Sequence, residues 1–156
     1  LFSMWIMNNM RSEFKRILFK VEHLEIMDMR SIEQETILGN EKIMQLLKTQ
    51  NNCLDAITLV YDGRIIACMG FVETFPGIAD VWLIPSIHIR KIPKMFLIEI
   101  KQYLNAIMQA LNFHRLQTVG RTDVFHVKWM DYIGFKCEGT LKNFYKNQDY
   151  LLWART

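Results

Sequence analysis

Residues 115–140 read RLQTVGRTDVFHVKWMDYIGFKCEGT, and the fold turns on how this stretch is parsed. Residues 116–120 read as a short buried strand. Thr122 or Asp123 can then cap a helix, because a side-chain oxygen there accepts a free N–H of the first turn. Phe125, Trp129 and Tyr132 or Ile133 recur at helical spacing and predict its apolar stripe. Gly134 supplies the left-handed residue that ends the helix, and Phe135 folds back over the last turn. A strand resumes at once. The unit is strand, capped helix, glycine stop, strand.

Upstream lies the strongest helix pattern, residues 94–111, with Phe96, Ile100, Leu104, Met108 and Leu111 along one face. A loop held between Pro85 and Pro93 leads into it. Before that loop come three strands. Residues 56–61 turn at Asp62-Gly63, a pair suited to positive φ. Residues 64–72 return and turn again at Pro76-Gly77, and residues 78–84 follow. Residues 14–21 alternate as a strand, although a helix fits nearly as well. Ser31 is a candidate N-cap with Gln34 as its capping-box partner, and Gly39-Asn40 breaks the helical region that follows. Downstream, residues 144–149 form a hairpin connection and residues 150–154 a last strand. The order predicts one α+β domain with a mixed α/β sheet over residues 1–156. Residues 1–10 are set apart as a disordered or partner-binding extension.

Composition narrows the function classes. The chain has 156 residues, 51% apolar and 22% charged, as expected of a globular domain with one core. A net charge of +3 gives no grounds for nucleic-acid binding. Cys53, Cys68 and Cys137 form no Cys-x-x-Cys pair and fit a reducing compartment. His23, His88, His114 and His126 lack metal-ligand spacing, so no metal is expected. The apolar run at residues 1–7 is too short to span a bilayer, and no membrane partner is expected.

These residues resemble the GNAT (Gcn5-related N-acetyltransferase) superfamily. The resemblance rests on residues 115–119, the capped helix, Tyr132-Ile-Gly-Phe135, Glu138-Gly-Thr-Leu141 and the closing run from Gln148 to Ala154. It covers residues 56–156. The layout is similar to small GNAT-like internal virion or morphogenesis proteins of short-tailed phages. The fold so implied is a mostly antiparallel sheet, splayed between its fourth and fifth strands, with helices on both faces. The resemblance also implies acetyl-CoA as co-substrate, a small-molecule or protein amine as acceptor, and a cytoplasmic location (host cytoplasm or virion if phage-encoded). Phage structural proteins are the alternative partners.

The resemblance assigns roles by position. Backbone groups of the fourth strand, at Leu83 and Ile84, would polarise the thioester carbonyl. The loop after that strand would meet the pyrophosphate. No glycine lies between Gly77 and Gly120, so His88, Arg90, Lys91 and Lys94 would hold it by side chains; the other reading is a solvated basic loop. Asp80 or Glu73 would take the proton from the amine, unless Asp80 is an exposed residue of an alternating strand. Asp123 would meet the cofactor arm, or serve only as a helix cap. His126 and Lys128 either face the cleft or lie on a solvated face. Met130 stands where the family carries an acidic tyrosine. Two functions follow: an N-acyltransferase with a degenerate cofactor loop, or a catalytically inactive GNAT-fold interaction or virion protein.

Overall fold

The computed structural model describes residues 14–156, and the expected extension at residues 1–10 lies outside them. Strand β1 (Lys15–Leu18) pairs antiparallel with β2 (Ala56–Tyr61), from Lys15 opposite Val60 to Leu18 opposite Ile57. Asp62 and Gly63 take φ of 50° and 72°, the twisted two-residue turn that the pair predicts. The chain returns as β3 (Arg64–Phe75), three residues longer than expected. It turns at Pro76-Gly77 into β4 (Ile78–Pro85). Strands β5 (Arg115–Gly120), β6 (Lys136–Tyr145) and β7 (Gln148–Arg155) complete a seven-stranded sheet among the described residues, in the order β1-β2-β3-β4-β5-β7-β6. Only β4 and β5 run parallel, through the pairs Ile78–Arg115, Ala79–Leu116 and Asp80–Gln117, and β4 continues beyond them to Pro85. This is the expected mixed α+β sheet.

The described chain forms two compact units, and β3 and β4 run through both. The first comprises residues 14–71 with Trp82–Pro93. Its helices are α1 (Glu22–Ile26), α2 (Ser31–Glu33), which widens into a π-helical turn at Gln34–Leu38, and α3 (Glu41–Lys48). Phe19, Leu24, Met27, Leu47, Cys68 and Ile84 are buried together in its core. The Trp82 ring stands edge-on to Phe19 at 5.2 Å. Ser31 is not the cap expected of it. Arg30 occupies the N-cap position in an extended conformation, with no side-chain cap, and Ser31 is the first helical residue. Gln34 reaches back to the Met29 carbonyl instead, at 3.4 Å. The Arg30 guanidinium grips the Glu33 carboxylate, which ties the first turn in place of a capping box. The break at Gly39-Asn40 holds: the Asn40 side chain accepts the Ile43 N–H at 3.2 Å and caps α3.

The second unit comprises Val72–Val81 and Lys94–Thr156. Helix α4 (Pro93–Ala110) buries Phe96, Ile100, Tyr103, Leu104 and Ile107. Helix α5 (Val124–Tyr132) differs from its expected stripe. Phe125 is 78% exposed and Tyr132 is exposed as well; Ile133, the other candidate for the end of the stripe, is the one buried, and Met130, which was not expected there, is buried with it. The reason lies at the helix end. Gly134 has φ +96°, its N–H reaches the Asp131 carbonyl, and the Phe135 N–H reaches the Met130 carbonyl at 2.9 Å. This is a Schellman stop, and its apolar contact joins the residue after the glycine to the one five positions back. Phe135, at 2% exposure, therefore draws Met130 inward. Trp129 is left half-buried, its ring 6.0 Å from that of Phe96.

Candidate functional site

In the first unit, the end of β4 passes into a 3-10 turn at Ile87–Lys91. Leu83 is exposed, while the Ile84 side chain belongs to the core. The buried Ser86 starts the turn: its N–H donates to the Ile66 carbonyl at 2.8 Å, and its Oγ accepts the His88 N–H at 3.1 Å. The Ile87 N–H goes to the Asp28 carbonyl at 2.8 Å and the Ile92 N–H to the Ile89 carbonyl at 3.1 Å. Pro93 has no N–H. The backbone of this turn therefore has few donors left for an anion. Its side chains carry the charge.

His88 lies 2.7 Å from the Asp28 carboxylate, Nε2 to Oδ2, and is engaged there. Arg90 and Lys91 are exposed and form no ion pair among the described residues. The donor set thus fits a phosphate held by guanidinium and ammonium groups. Lys94, on the first turn of α4, is likewise exposed.

In the second unit, Asp80 is half-buried on β4 opposite Gln117 of β5. Glu73 is exposed, and its carboxylate accepts the Gly77 N–H at 3.0 Å, which ties it to the Pro76-Gly77 turn. Asp123 caps α5, accepting the His126 N–H at 3.0 Å, with its other oxygen 3.6 Å from the Arg121 guanidinium. Lys128 is exposed, and the His126 imidazole packs against Gly120 at the end of β5. Met130 is buried and presents no hydroxyl. Tyr132 is exposed, with the Lys101 ammonium 5.0 Å above its ring. Asp28 was invisible to sequence reasoning, because it stands 60 residues from His88. The Glu73 cap was legible in principle, as a carboxylate a few residues before a Pro-Gly turn.

The first unit also holds a polar relay. The Lys20 N–H donates to His23 Nδ1, which lies 2.7 Å from Thr58 Oγ1, and Thr58 lies 3.5 Å from Cys68 Sγ. Burial pushes the Cys68 thiol up to about 12, so the group stays protonated and is no nucleophile. Burial, followed by the Lys20 charge, pushes His23 below its ordinary value. Among the described residues, no group of three or more His, Cys, Asp or Glu side chains is placed to hold a metal. No described helix is long and apolar enough to cross a membrane.

No protein-family model matches the sequence, and no curated protein sequence does. Solved structures do match the fold. A chimera of spermidine N-acetyltransferase SpeG from Vibrio cholerae and hSSAT superposes with a TM-score of 0.73 at 12% identity, over 92% of this chain and 95% of that one. Ard1 from Thermoplasma volcanium gives 0.72 at 13%, over 92% and 97%. A GNAT-family acetyltransferase from Bacillus anthracis gives 0.69 at 13%, over 92% and 94%. Likeness of this extent at such low identity is a likeness of architecture, and the fold of this chain is the GNAT acetyltransferase fold.

Proposed function

We propose that this chain is a GNAT-type N-acyltransferase that moves an acetyl group from acetyl-CoA to a small-molecule or protein amine. The observation that carries this reading is the fold, shared with acetyltransferases over more than nine-tenths of the chain. Arg90, Lys91 and Lys94 hold the phosphates by side chain. Backbone groups at Leu83 and Ile84 polarise the thioester carbonyl. Asp80 takes a proton from the acceptor ammonium, and the neutral nitrogen attacks the carbonyl carbon. The new C–N bond forms, the C–S bond breaks, and the second proton shed by the nitrogen passes through water to the departing thiolate, because position 130 has no hydroxyl. Glu73 and Asp123 are engaged in a turn and a cap and support the scaffold. Rate enhancement then rests on proximity and carbonyl polarisation.

The test joins binding to turnover. Saturating acetyl-CoA should raise the melting temperature by mass action, and an amine panel should release free thiol. No thermal shift together with no thiol release from any amine overturns the reading.

The buried Met130 favours a second reading, an inactive GNAT-fold interaction protein such as a phage virion or morphogenesis component. Co-purification with phage particles in the absence of turnover supports it. Turnover of acetyl-CoA by a protein that joins no particle refutes it.

A further inference from the structure

We propose that Asp28 and His88 form a strut that positions the basic turn for anion binding, and that His88 is not itself a phosphate ligand. This rests on reading the turn as the phosphate-holding element. The turn needs an external support. It sets Arg90 beside Lys91, both exposed, and like charges on neighbouring residues repel. A five-residue 3-10 helix has poor internal hydrogen-bond geometry and little strength of its own.

Asp28, in the connection from α1 to α2, grips the turn twice. Its carbonyl accepts the Ile87 N–H at 2.8 Å, and its carboxylate meets His88 Nε2 at 2.7 Å. The His88 side chain keeps only 16% of its exposure, against 65% for Asp28, so the ring is held inward and the carboxylate outward. Ser86 fixes the His88 backbone from the other side, and the buried Ile89 pins the middle of the turn. A phosphate brought to His88 meets the Asp28 carboxylate as well. Among the described residues, Arg90 and Lys91 have no such competitor. The strut aims those two side chains, and the connection from α1 to α2 sets the shape of the anion-holding turn.

The test separates positioning from general damage. Affinities for acetyl-CoA and for S-acetyl-pantetheine, which lacks the nucleotide phosphates, are measured for the wild type, Asp28→Ala, His88→Ala and His88→Gln. Losing one charge-assisted bond should weaken acetyl-CoA binding about tenfold in both alanine variants. Acetyl-pantetheine affinity should stay within about twofold, and His88→Gln, which keeps a donor, should recover much of the loss. Equal losses for both ligands, or no loss for acetyl-CoA, overturn the strut. Hydrogen exchange at the Ile87 amide gives a readout free of any ligand. Faster exchange in His88→Ala supports the strut, and unchanged exchange overturns it. A wild type that binds no acetyl-CoA but shows this change in exchange refutes the proposed function while retaining the strut.

Discussion

The Trp82 indole closes over Gly70: its Nε1–H donates to Gln50 Oε1 at 3.0 Å, and a Cβ at position 70 would lie 2.8 Å from its Cε2. The same Cβ would lie 2.8 Å from the Asp55 carbonyl, which already accepts the Phe71 N–H at 3.0 Å and cannot retreat without breaking that bond. Gly70→Ala should therefore lower stability by about 1–3 kcal/mol through overpacking. Urea denaturation checks this, and an unchanged midpoint contradicts it.

Two of the three thiols, Cys68 and Cys137, should differ sharply in reactivity. Cys137 is exposed and Cys68 is buried with its thiol held protonated. A thiol reagent at mildly alkaline pH should label Cys137 quickly and leave Cys68 untouched until denaturant is added. Peptide mapping by mass spectrometry reads the sites. Equal labelling of Cys68 and Cys137 in the native protein would contradict the burial.

Much of the fold was legible because its signals are local. Asp62-Gly63, Asn40 and Gly134-Phe135 each act within a few residues of themselves, and each does what its chemistry predicts. The misreadings came from partners distant in sequence or from competition between local signals. Ser31 had the right side chain for a cap, but Arg30 and Glu33 made the stronger local bond. The α5 stripe was read from Phe125, Trp129 and Tyr132 or Ile133; Ile133 is buried, while the glycine stop set the rest of the buried side through Met130 and Phe135. The candidate site was less legible than the fold. Sequence pattern marks charge but not its partner, so His88, Arg90 and Lys91 looked alike although, among the described residues, only His88 meets a carboxylate.

The buried side of α5 can be tested directly. Phe125→Ser should change stability by no more than about 0.5 kcal/mol, as for other exposed positions. Met130→Tyr, which restores the hydroxyl that the family resemblance implies, should cost about 1–3 kcal/mol because the side chain it enlarges is buried. Thermal melts of both variants check the pair. An increase in acetyl transfer by Met130→Tyr would show that this position does reach the reacting sulfur.

Stability should depend on pH through His23. Its folded value is depressed from 6.5 by burial and by Lys20, so between the two values the unfolded chain binds more protons. The contribution is complete above 6.5 and is lost as the pH falls through the folded value. Urea midpoints from roughly pH 8 down to pH 5 should decline, and His23→Gln should flatten the decline. An identical pH profile in the variant would contradict this assignment.

Strand β7 lies between β5 and β6, although it follows both in the sequence. During synthesis β5 leaves the ribosome with β4 to pair on one side but no β7 on the other, and β6 leaves it with no eventual neighbour at all. A nascent chain halted at Asn147 carries two unfilled strand borders, each able to recruit another polypeptide. This half of the sheet closes by insertion rather than by accretion, and the interval before β7 arrives is when the chain is most open to misassembly.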